Sequence, residues 1–225
     1  MHAQRVIFID FTRAMAVVFM LYGHAVDALL APIHRQGLVY DVWQFQRGLT
    51  SCLFLTLSGF AFSIATSRHW TTHLSMTPAV VKRARRFLLF VALGYALHLP
   101  TTLTGLAHAT GPQLRSLYAV DVLQVIGVTF IVVQGLVMAT RTQRLFARVS
   151  MLLAVLAVVA SPLASRVEWT RVLHPAAAAY LTPASGSLFP ILPWGGFILL
   201  GVSLGQLYAH RGASTLRQYA TWVLI

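Results

Sequence analysis

Acidic residues are scarce in this chain: five Asp and Glu stand against seventeen Lys and Arg in 225 residues, and charged residues of both signs make up only 10%. An ordinary soluble domain carries about 25% charged residues. That shortfall, with 57% hydrophobic residues and a mean hydropathy of +0.72, excludes such a domain and points to a polytopic membrane protein. The single cysteine, Cys52, lies in an apolar run and excludes an intrachain disulfide. No small-residue cleavage site follows the first apolar run, so no cleavable leader is expected. No internal repeat occurs, and no low-complexity stretch beyond Ala176 to Ala179. A metal site is not expected either: His69 and His73 have an i, i+4 spacing but lie in a polar loop with no third ligand in evident reach. The net charge of +12 would suit a nucleic-acid binder, but the basic residues occur in short clusters between apolar runs, as helix-flanking anchors do. Nucleic acid is therefore not an expected partner; the lipid bilayer is.

Apolar runs at Val6 to Leu30, Leu49 to Ala65, Phe87 to Leu106, Leu117 to Met138, Val149 to Ser165 and Leu188 to Tyr208 predict six complete spans, with the start of a seventh at Tyr219. The fold class is thus all-α, a transmembrane helix bundle forming one domain over residues 1–225. The seventh run stops after about seven residues, too few to span about 30 Å, so the sequence is expected to be a C-terminally truncated piece of a longer bundle, the alternative being a short interfacial tail. With the N-terminus cytoplasmic, eleven basic residues fall on the cytoplasmic side and five in outer loops, the bias expected for that orientation.

The first run carries four ionisable side chains: Asp10, Arg13, His24 and Asp27. Each charge costs roughly 2.5 to 3.5 kcal/mol at a membrane helix centre, so such residues face a bundle interior or wet cavity and usually serve a pathway or reaction. At about 100° per residue all four fall on an arc of about 100°, a polar spine with His24 and Asp27 about 16 Å along the axis from Asp10 and Arg13. His24 and Asp27 are one turn apart, so the carboxylate could hold one imidazole nitrogen and leave the other as base or nucleophile; the plainer account is two headgroup-level polar residues. Asp10 and Arg13 could form a structural ion pair, or Arg13 could face an anionic group of a substrate.

The cluster Lys82, Arg83, Arg85 and Arg86 is either an anchor on anionic lipid or a landing site for a phosphate-bearing donor such as coenzyme A. Asp121 and Gln124, one turn apart, could hydrogen-bond a sugar hydroxyl or simply satisfy an interhelical contact. Pro190, Pro193 and Trp194 break the start of the sixth span, as a cavity-lining segment or as an ordinary interfacial turn. Ser58 and Gly59 could support a close helix crossing, while Tyr22 and His98 are expected to be packing or interface residues.

Several of these letters match a family. Asp10 Phe11 Thr12 Arg13 Ala14, with ten residues between Arg13 and His24, resembles the opening of the membrane acyltransferase superfamily, which includes the acyltransferase-3 proteins and the bacterial relatives of heparan-alpha-glucosaminide N-acetyltransferase. Leu55 to Phe60 resembles the second-helix motif, and Asp121 to Gly127 with Phe189 to Gly195 is more similar to the heparan-acetyltransferase branch. Ala14 departs from the glycine usual after the arginine, and family members usually have roughly ten or more helices.

The resemblance implies an acyl-CoA-dependent O- or N-acyltransferase in a multi-pass membrane position, the bacterial inner membrane. It would move an acyl group, usually acetyl, from cytoplasmic acetyl-CoA as co-substrate to an acceptor on the outer side, often a glycan, with no bound cofactor and room for a homo-oligomer. His24 would be the catalytic histidine, as base or as transient acyl carrier, and Arg13 would position the donor or stabilise the site. A proton-coupled transporter using Asp10, His24, Asp27 and Asp121 is the alternative reading of the same residues.

Overall fold

The structure is a computed structural model that describes residues 7–99 and 117–211. Every regular element in this described part is helical. Six long helices follow one another: α1 (Ile7–Leu29), α2 (Leu38–Ser67), α3 (Pro78–Ala96), α4 (Val122–Thr140), α5 (Gln143–Ala164) and α6 (Ile191–Arg211).

Local chemistry sets several of the boundaries. Thr77 caps α3 by accepting from the Val80 N–H at 3.4 Å, with Pro78 in the first turn, where a missing N–H costs nothing. Thr142 caps α5 in the same way through the Leu145 N–H. Gln124 reaches back to accept the Asp121 N–H at 3.1 Å, which closes the first turn of α4. At the other end of α4, Arg141 adopts a left-handed conformation, φ 55°, and stops the helix. The expected break before the sixth span is present: Leu192, between Pro190 and Pro193, has φ −104° and ψ 115°, values outside the helical region.

Among the described residues five helices, all but α3, are long and apolar enough to cross a membrane. The third expected span, Phe87 to Leu106, is described only as far as residue 99. Its helix begins at Pro78, nine residues before the apolar run, and the basic cluster lies in its first turns. Residues 100–106 of that run, and the seventh run from Tyr219, lie outside the described residues. At about 28 Å, α3 nevertheless runs antiparallel to α4 along most of its length. The second helix is also longer than its apolar run, because the polar segment from Leu38 continues the same helix.

Successive helices alternate in direction, and α4 and α6 lie innermost: half of their apolar stretches are buried, against 17% for α1. In the centre Phe130 of α4 stacks on Phe62 of α2 and Phe87 of α3, with ring centroids 5.0 and 5.1 Å apart. Apolar burial drives little association between helices already in lipid, so close backbone contact has to supply it. It does so where α2 crosses α6. A methyl group on Gly59 would overlap the Ile198 carbonyl, and one on Gly201 would overlap the Thr56 carbonyl. Gly59 therefore lies at the close approach of α2 and α6, whereas Ser58 turns its hydroxyl back on its own helix, to the Phe54 carbonyl at 2.8 Å.

Candidate active site

The ends of five helices converge on one cavity of about 290 Å³. Its wall includes His24 from α1, Arg47, Thr50 and Ser51 from α2, Gly94 from α3, Asp121 before α4, and Phe189 before α6. Apolar side chains, among them Phe19, Phe54, Val122 and Leu188, make up most of the remainder. The segment before α6 is held over this end by backbone bonds: Phe189 N–H to the Val120 carbonyl, 3.0 Å, and Ile191 N–H to the Tyr180 carbonyl, 2.7 Å. Tyr95 of α3 donates to the Tyr180 hydroxyl at 3.1 Å, and burial with this contact pushes the Tyr180 phenol well above its usual range. Trp194 packs between Phe189 and Phe197 behind that segment.

One ion pair and one histidine–carboxylate contact flank the cavity. Asp27 takes a two-pronged contact from Arg47, with Nη1 to Oδ1 at 2.9 Å and Nη2 to Oδ2 at 2.5 Å. Arg35 caps the same helix end, donating to the Asp27 and Leu30 carbonyls. On the far wall, His98 Nε2 lies 3.0 Å from Asp121 Oδ2.

This geometry redistributes the candidate residues. The expected dyad of His24 with Asp27 is not formed: both carboxylate oxygens of Asp27 go to Arg47, and the His24 ring makes no hydrogen bond among the described residues. The polar spine of α1 does not face inward as a whole. The helix packs on α2 through the ridge Ile9, Ala16 and Gly23, one residue every two turns, and Asp10, Arg13 and His24 lie beside that ridge and are exposed. No ion pair joins Asp10 to Arg13, and Asp10 is engaged elsewhere. Gln124 is fully buried, its amide spent on the α4 cap and packed against Gly94, so only Asp121 of that expected pair reaches the cavity.

At the opposite end of the bundle the basic cluster divides. Lys82, Arg85 and Arg86 line an open cleft of about 690 Å³ with Met76, Pro78, Val81 and Leu89. Arg83 turns away from it: Nη1 donates to Thr66 Oγ1 at 2.8 Å, and the guanidinium lies 4.8 Å over the Phe62 ring. Nearby His73 is buried, and desolvation together with the Arg83 charge holds its imidazole below the usual range, in the neutral form.

The heparan-alpha-glucosaminide N-acetyltransferase catalytic-domain family matches residues 5–223, nearly the whole chain. The chain belongs to this family. No curated protein and no solved structure matches it. As a member of the heparan-alpha-glucosaminide N-acetyltransferase catalytic family, it is an integral, multi-pass membrane protein of the acyltransferase class. In this family member the residues that sequence reasoning overlooked are Arg47, one of the five basic residues counted in the outer loops, and His98, expected to be a packing or interface residue. The i+3 and i+7 relation of Arg47 to Thr50 and Phe54 on one helical face was the available signal for the first. His98 had none, since its partner is 23 positions away on another helix.

Proposed function

We propose that the protein transfers an acyl group, acetyl in the first instance, from acyl-CoA to a glycan acceptor across the bilayer. The observation that carries the reading is His24. It is an imidazole without a hydrogen-bond partner among the described residues, on the wall of a mostly apolar cavity that also holds a carboxylate, Asp121, at the end of the bundle opposite the cleft of Lys82, Arg85 and Arg86. Guanidinium and ammonium groups suit the phosphates of coenzyme A, and acyl acceptors need a base. The acceptor's nitrogen or oxygen attacks the thioester carbonyl carbon, its proton passes to His24, the C–S bond breaks, and coenzyme A leaves carrying the proton as the thiol. In a two-step version His24 first takes the acyl group on a ring nitrogen and then passes it on.

The excess of basic residues on one side supports a cytoplasmic N-terminus, which would put the cationic cleft at the cytoplasmic face and the cavity at the outer face of a bacterial inner membrane. Arg13, exposed part-way along α1 between the two ends, would steer the donor toward His24. Asp121 would accept a hydrogen bond from the acceptor.

The test is free coenzyme A release by purified protein in liposomes, supplied with acetyl-CoA and a panel of glycans, beside His24→Ala. Release that depends on acceptor and falls by about 10²-fold or more in the variant, the usual weight of a general base, is the expected result. Proton-driven solute uptake without coenzyme A release would replace the enzyme reading with a transporter.

A further inference from the structure

His98 has no task in the acyl-transfer reading, yet it is joined to a residue that does. Its Nε2 lies 3.0 Å from Asp121 Oδ2, while its Nδ1 is buried and has no hydrogen-bond partner among the described residues. A neutral ring protonated at Nε2 satisfies the first contact and leaves only a bare lone pair at Nδ1. A second N–H there would be a buried donor without an acceptor, the costlier defect. In this tautomer His98 donates to Oδ2, and the same carboxylate faces the Gln124 N–H in the α4 capping box, which leaves acceptor capacity on its oxygens for a further donor.

The backbone on both sides is already fixed. The Asp121 N–H goes to Gln124 Oε1, and the preceding Val120 N–H goes to Ser187 Oγ at 3.0 Å. On the other side, the His98 N–H donates to the Tyr95 carbonyl at 3.0 Å. The crossing of α3 with α4 is carried by Gly94 against Gln124 and by Phe87 against Phe130, so it does not depend on the His98–Asp121 contact. Beside the capping contact to the Gln124 N–H, the imidazole adds a second hold on the direction of one side chain, and that side chain lines the cavity with His24.

We propose that His98 is a positioning residue: it holds the Asp121 carboxylate against the cavity so that the carboxylate receives an N–H or O–H of the acceptor. The proposal rests on the reading of this cavity as the acceptor site.

The experiment compares His98→Phe, His98→Gln and Asp121→Ala with the unsubstituted protein in liposomes. It measures the KM for acetyl-CoA, the KM for a glucosamine-terminated oligosaccharide, and equilibrium binding of that oligosaccharide. Removing a hydrogen bond to a charged group should raise the acceptor KM and Kd about tenfold in His98→Phe, with the acetyl-CoA KM within about twofold. Gln presents an N–H donor at a reach close to that of Nε2, so His98→Gln should recover most of the acceptor affinity. His98→Phe added to Asp121→Ala should cost nothing further, because its action passes through the carboxylate.

An equal loss in both KM values, additive losses in the double variant, or a His98→Gln as damaging as His98→Phe would each overturn the proposal in favour of simple packing. The binding arm separates this failure from that of the acyl-transfer reading. Without coenzyme A release, a glycan Kd that rises in His98→Phe and returns in His98→Gln still supports the positioning role; no glycan binding by the unsubstituted protein overturns it.

Discussion

Asp27→Asn should weaken the enzyme modestly and through Arg47, not disable it. Both side chains of this pair are about one-third exposed, 34% for Asp27 and 37% for Arg47, so solvent screens them. A charge-assisted two-pronged contact is worth about 1.5–3 kcal/mol when dry. Screening at this exposure reduces it to about 1 kcal/mol. That loss corresponds to a shift in melting temperature of about 2–4 °C for a chain of this size. If the whole of it appears in the position of α1, the rate falls about fivefold.

The reason for expecting an effect on rate is that α1 packs mainly on α2, and the pair ties the turn carrying His24 to the α2 face that lines the cavity. The assay is a double-mutant cycle of Asp27→Asn and Arg47→Gln, read by thermal unfolding in detergent and by coenzyme A release. The double variant should be no worse than the poorer single one, with a coupling of about 1 kcal/mol. A direct His–Asp dyad makes a different demand: losing the carboxylate that orients a catalytic imidazole costs about 10⁴-fold in the serine protease triad. A loss of that order in Asp27→Asn, with Arg47→Gln nearly silent, would refute the reasoning and restore Asp27 to His24.

Two further outcomes follow from the packing and the charge distribution. Gly201→Leu should destabilise the bundle by about 1–3 kcal/mol or prevent its folding, because the side chain would meet the Thr56 carbonyl at the crossing of α2 and α6; detergent-solubilised yield and melting temperature check this. Replacing Lys82, Arg85 and Arg86 together by Gln should raise the KM for acetyl-CoA at least tenfold and flatten its salt dependence, while Arg83→Gln, whose guanidinium is engaged with Thr66 and Phe62, should lower stability more than donor affinity. Titration of KM against ionic strength separates the two.

The chain by itself determined its solvent, its helices and its class. Apolar runs of span length are legible because each backbone group in lipid must be satisfied within its own helix, so local composition decides the element. The ten-residue gap from Arg13 to His24 was equally legible, being a relation within one helix. Gly59 was readable as a crossing point, although its partners in α6 were not. What lies between helices was decided only by tertiary structure. Periodicity states which side chains share a face of one helix, but the neighbour each one meets depends on crossing angle, register and rotamer. Asp27 and His24 are one turn apart, yet the carboxylate closes on Arg47, 20 positions away on α2, because the long guanidinium fork reaches it in a geometry the adjacent imidazole does not supply. Gln124 shares a helix end with Asp121, but capping α4 draws its amide inward while the carboxylate goes to His98. Arg83 stands among three basic residues that face the cleft, and the α3 surface on which it lies is the one pressed against Phe62 and Thr66. A charged side chain in lipid goes to whichever partner removes the most desolvation cost, and that partner is supplied by the packing of the whole bundle.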